Sequence, residues 1–217
     1  TPTMVIHQNL FTTENLTADN RGTGIRITND KVNIESTNVF QNLFKGIDAY
    51  NLLTTIKGIK VIGNTFVNVA KGVTLNNVVG GKVENNSFTI PTGNSGTDND
   101  TYGLTLYEAK AVNVKDNTFY ATTSAPYTRG FVAYKCSYTG YQTNVTNNLF
   151  EGNFSEATLF SDNNRFLQMQ CNAYNGCQKD WYFDDQAKLF QTVSRIQVEG
   201  KSVDEVLSEL LNILEIK

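Results

Sequence analysis

Four residues beyond Gly46, Gly103 and Gly130 stand Tyr50, Tyr107 and Tyr134, and the same count from Gly72 reaches Asn76. Aromatic faces interleaved with amides suit extended sugar chains, because rings lie against C–H faces while amides meet hydroxyls. Tyrosine is also an ordinary strand residue, and stacked tyrosines tie neighbouring strands together without any ligand. Both readings stand at this point. Arg129, directly before Gly130, adds a cation that would overhang the same face.

Other residues carry weaker signals. Asp98 and Asp100 offer oxygen ligands at alternating positions, as a calcium loop does, but without the bidentate Glu and full spacing of an EF-hand. A solvated loop is the plainer expectation; calcium is the one candidate cofactor, and no metal site is assigned. Asp184 and Asp185 follow the aromatic run Trp181-Tyr182-Phe183, and adjacent strand residues point to opposite faces, so the two carboxylates are not expected to converge. The sole histidine, His7, reads as an exposed strand residue, which argues against a histidine-activated nucleophile. Cys171 and Cys177 are close enough in sequence for a small-loop disulfide, with Cys136 left over. The plainer expectation for Cys171 is a small buried residue, and the spacing is a poor match to zinc. No catalytic residue is assigned.

These side chains need elements to hold them, and the chain supplies a repeat. In one frame an asparagine stands two residues before an aromatic ring: Asn9/Phe11, Asn42/Phe44, Asn64/Phe66, Asn86/Phe88, Asn117/Phe119, Asn148/Phe150 and Asn172/Tyr174. The intervals between rings are 33, 22, 22, 31, 31 and 24 residues, as in a solenoid. Five residues before each ring lies Ile6, Val39, Val61, Val83, Val114, Val145 or Met169. Asn38/Phe40 and Asn164/Phe166 lack that apolar residue and fall outside the frame.

Apolar residues two apart, where Met4, Ile59, Val112 and Leu167 extend the pattern, describe a strand with one buried face. The ring is an odd number of residues further on, so an uninterrupted strand would turn it outward. A corner at the asparagine, which tolerates left-handed backbone, restores the ring to the interior. Stacked copies then place Asn over Asn and ring over ring at about 4.8 Å, with the amides bonded along the ladder. A third strand follows most rings, opened by Gly24, Gly46, Gly72, Gly103 or Gly130. Longer repeats insert loops before that glycine, from Pro91 to Tyr102 and from Ala121 to Arg129, which should form one wall beside the third strands.

The segments ending in Phe66, Phe88, Phe119, Phe150 and Tyr174 (VIGNTF, VENNSF, VKDNTF, VTNNLF, MQCNAY) resemble the right-handed parallel β-helix repeat proteins of the pectate-lyase-like superfamily, over roughly residues 1 to 190. The resemblance rests on packing positions. It implies an all-β right-handed parallel β-helix of about seven coils, of the secreted bacterial surface type, with polysaccharide lyases, glycoside hydrolases and phage tailspikes among its relatives. A polygalacturonase would bring a Gly-His-Gly segment and an Asp trio. This chain has neither.

Composition narrows the rest. A formal net charge of −3 with no long basic cluster argues against a nucleic-acid partner, and no stretch is apolar enough to span a membrane. The start at Thr1-Pro2 fits a processed chain. Residues 1–192 are expected to form the β-helix, and 193–217 a linker and amphipathic helix. Ser202 and Glu205 make a capping box, and Val203, Val206, Leu207, Leu210, Leu211 and Leu214 share an apolar face. That helix either caps the last coil, leaving a monomer, or joins chains into a trimer; the cap is favoured. The functional expectation is a secreted or cell-surface module that binds polysaccharide without catalysis. A lyase or hydrolase working along the third strand is the first alternative, and a structural stalk or oligomeric adhesin the second.

Overall fold

The computed structural model describes residues 3–14, 22–91, 100–123, 127–136, 140–161, 164 and 167–183. The predicted C-terminal helix over 193–217, Asp98, Asp184, Asp185, Phe166 and most of the first long insertion lie outside these residues. Within them the chain winds into an all-β parallel solenoid of about six turns, built from three seven-stranded sheets.

The first sheet begins with Met4–Ile6, Val32–Glu35 and Lys60–Ile62 and ends with Leu167–Gln170; the second begins with Leu10–Thr12, Val39–Gln41 and Thr65–Val67 and ends with Ala173–Asn175. The third runs through Thr23–Ile27, Lys45–Ala49, Lys71–Asn76, Thr101–Tyr107, Thr128–Tyr134, Glu156–Ser161 and Trp181–Phe183. A two-stranded sheet of Ile56–Lys57 and Val78–Val79 lies at the corner after the third.

Identical columns fill the interior. Ile6, Ile34, Val61, Val83, Val114, Val145 and Met169 stand in register on the first sheet. On the second, Phe11, Phe40, Phe66, Phe88, Phe119, Phe150 and Tyr174 do the same. Ring centroids from Phe11 to Phe150 are 4.6 to 4.8 Å apart at interplanar angles of 5 to 10°. That separation matches the strand spacing, so the backbone imposes the stack.

The asparagine ladder forms between these two sheets. Each Nδ2 donates to the Oδ1 of the next coil, from Asn9 to Asn38 (3.2 Å), Asn38 to Asn64 (2.8 Å) and Asn64 to Asn86 (3.2 Å), then on through Asn117, Asn148 and Asn172. A further bond from Nδ2 reaches the carbonyl of the strand one coil back, as from Asn86 to Val61 (2.8 Å) and from Asn117 to Val83 (2.8 Å).

The second rung is Asn38/Phe40, not Asn42/Phe44: Phe40 is fully buried between Phe11 and Phe66, while Phe44 is only half-buried. Ser36 and Thr37 are both left-handed (φ 47° and 63°), which adds a residue to this corner, so Ile34 precedes its asparagine by four instead of three. Asn42 is itself left-handed (φ 58°) and belongs to the next corner, where Asn68 Nδ2 donates to it at 2.8 Å. The ladder asparagines, moreover, are not the left-handed residues. That role falls one position earlier, to Gln8, Gly63, Asn85, Asp116, Asn147 and Cys171. The ladder amide turns inward because the residue before it makes the bend.

Candidate functional site: the outer face of the third sheet

The third strands restart their alternation at glycine. Lys45, Lys71, Tyr102 and Arg129 precede it on the outer face, whereas Ile47, Val73, Leu104 and Phe131 follow it into the core, and the register skips the glycine between them. Only glycine fits at Gly24, Gly46, Gly72, Gly103 and Gly130, and Ala157 takes the equivalent place in Glu156–Ser161. A Cβ on Gly103 would lie 2.5 Å from Phe119 Cδ1 and 2.9 Å from the Gly130 carbonyl oxygen. Outward side chains therefore stand in three rows, one residue before the glycine and two and four residues after it.

The farthest row contains the predicted column. Asn76, Tyr107 and Tyr134 are in register and half-buried, and Tyr50 stands beside them, one residue past the last paired position, Ala49. The Tyr107 and Tyr134 centroids are 6.2 Å apart at 44°, unlike the flush rings of the core. Lys135 Nζ lies 5.8 Å from the Tyr107 centroid.

Arg129 is placed differently. It belongs to the row before the glycine, five residues from Tyr134, and it is 6 % exposed. Its Nε donates to Glu156 Oε2 at 2.7 Å and its Nη1 to Asp100 Oδ2 at 3.1 Å, with Tyr127 packed 5.3 Å from the guanidinium carbon. Arg129 is thus a buried anchor between neighbouring strands and the returning end of the first long insertion. The Thr101 N–H bonds to the Tyr127 carbonyl at 3.2 Å, joining the return ends of both insertions. Asp100, half of the calcium-like pair, is engaged by Arg129.

The middle row was legible by the same glycine count, two residues on instead of four. It holds Arg26, Asp48, Thr74, Thr105, Val132 and Leu159 in register. Asp48 accepts a 2.9 Å bond from Lys45 Nζ. The Oγ1 atoms of Thr74 and Thr105 are buried without a hydrogen-bond partner. Beside this row, Lys71 Nζ lies 5.0 Å from the Phe44 centroid and 5.6 Å from that of Tyr102.

The remaining candidates do not assemble. His7 is exposed on the first coil. All three cysteines are free, and Cys171 is exposed at a left-handed corner instead of buried. Burial pushes the Cys136 thiol up to about 12; burial and then the charge of Asp180 push Cys177 to about 12. Neither thiol is an ionised nucleophile near neutral pH. Among the described residues no three His, Cys, Asp or Glu side chains group as a metal site, and no helix is long and apolar enough to cross a membrane.

Fold and face together define a parallel β-solenoid with a polar and aromatic third sheet. The chain belongs to the right-handed β-helix family, whose model matches residues 4–176. No curated protein and no solved structure matches the chain.

Proposed function

We propose that this protein is a secreted or cell-surface β-helix module whose third sheet binds polysaccharide along its outer face without catalysis. The observation that carries this reading is the in-register row Asn76, Tyr107 and Tyr134, whose two rings tilt at 44°. The in-register core rings from Phe11 to Phe150 lie flush at 5 to 10°, whereas this in-register pair on the outer face does not. Tilted rings keep C–H-binding faces available, and a rise of about 4.8 Å per coil lets a chain running along the solenoid axis meet one side chain per coil. A location outside the cell belongs to the same reading, since such polymers lie there.

Glycan-array binding by the wild type and by Tyr107→Ala/Tyr134→Ala tests the platform. The double variant is expected to lose at least about tenfold in affinity; unchanged binding removes the proposal. One observation favours an enzymatic alternative, the meeting of Asp100 and Glu156 at Arg129 on the same face. Lyases and hydrolases need such acid and base groups. New reducing ends or unsaturated products from the bound polymers would decide for that alternative. The stalk or adhesin reading depends on the C-terminal helix, outside the described residues.

A further inference from the structure

Thr74 and Thr105 are paired neighbours on adjacent strands, and two residues along the same strands Asn76 and Tyr107 are paired with each other. The four side chains mark the corners of a rectangle about 4.8 by 6.7 Å on the outer face. Both threonine Oγ1 atoms are buried and unpartnered, and Thr105 is only 6 % exposed. Buried polar atoms in folded proteins are nearly always paired. Here the contrast is internal, because the ladder amides from Asn38 to Asn148, at least as buried, are hydrogen-bonded to the coils on either side. A hydroxyl donates one hydrogen bond and accepts two, and a step in χ1 exchanges its position with the methyl group. Two such groups, with an amide and a ring edge beside them, suit a flat, hydroxyl-rich molecule.

The charges define its class further. Lys45 is paired with Asp48, Arg129 with Glu156 and Asp100, Lys71 Nζ sits over the Phe44 and Tyr102 rings, and Lys135 Nζ, the cation nearest the rectangle, is engaged over the Tyr107 ring at 5.8 Å. Arg26 is in the same row but beyond the Asp48 carboxylate. The rectangle itself carries no charge. A uronate or sulfate placed on it would therefore meet no uncommitted cation, and Asp48, in register with Thr74 on the neighbouring strand, places a carboxylate beside it.

We propose that Thr74, Thr105, Asn76 and Tyr107 form a subsite for one uncharged sugar ring of a neutral polysaccharide. This inference rests on the platform reading and specifies its substrate class. It is tested by titrating the full chain with neutral glucan, mannan and galactan oligosaccharides and with oligogalacturonates of matched length. Wild type is expected to prefer a neutral series. Thr74→Val/Thr105→Val is expected to bind that series about tenfold more weakly, and its melting temperature is expected to hold or rise, because a methyl replaces an unpartnered hydroxyl. Thr105→Ser, which keeps the hydroxyl, should retain binding. Preference for uronates, or full binding by the valine double variant while Tyr107→Ala/Tyr134→Ala loses it, overturns the subsite and leaves the platform intact. A wild type that binds no polysaccharide of either kind overturns both.

Discussion

Asn86 shows what one ladder residue does. Its Nδ2 shares two N–H donors among Val61 O, Glu84 O and Asn117 Oδ1, while its Oδ1 accepts from the backbone and side chain of Asn64. The site is buried, so each partner stripped of its bond keeps the cost of having left water. Asn86→Ala is expected to lower stability by about 3 kcal/mol in urea unfolding, and Asn86→Asp by more at pH 7, because a carboxylate would face carbonyl oxygens. Asn9→Ala, at the exposed end of the ladder, should cost less than about 1 kcal/mol; equal costs at both positions would contradict the burial argument. Most ladder residues were legible because each must match the coil above and below. Asn38 was not, since the extra left-handed residue at Ser36–Thr37 alters the count along the chain without altering which strands pair.

At the scale of the strand, the glycine column sets where alternation restarts and so which side chains reach the outer face. Gly103 has a backbone that other residues could adopt, but its Cβ position is taken by the Phe119 ring and the Gly130 carbonyl. Gly58 is the converse: it is left-handed at φ 68° with nothing within 4 Å. Gly103→Ala is expected to cost about 3 kcal/mol through overpacking, against about 1 kcal/mol for Gly58→Ala from backbone strain alone. Thermal unfolding followed by circular dichroism compares them, and a larger loss at Gly58 would refute the close-approach account. The glycine count alone found the tyrosine row and also contained the threonine row. What it lacked was any signal that the two hydroxyls are buried and unpartnered, a property of neighbouring coils instead of local spacing.

At the scale of the whole molecule, each coil touches only the coils above and below, so stability spreads along the axis as a chain of nearest-neighbour terms. Among the described residues the first coil has one neighbour. Its end opens on a cavity of about 1160 Å³ lined by Met4, Ile6, Ile25 and Ile27 among others, and Met4 is 61 % exposed. Amide hydrogen exchange should therefore be slowest in the first-sheet strands Lys60–Ile62 and Lys82–Glu84 and fastest in Met4–Ile6 and Leu10–Thr12. Uniform protection along the axis would rule out this one-dimensional picture. The sequence by itself determined the solenoid, the outward tyrosines, and the ring and aliphatic columns except at the second rung, where Phe40 and Ile34 stand in place of the expected Phe44 and Val39, because stacking repeats the same demand in every coil and so writes a period. Only the tertiary structure decided which asparagine joins at the second rung, that the residue before each ladder amide makes the bend, and that Arg129 meets Asp100 and Glu156. The second rung and the Arg129 contacts link residues 26 to 29 positions apart across turns of unequal length, where spacing along the chain no longer measures distance in space.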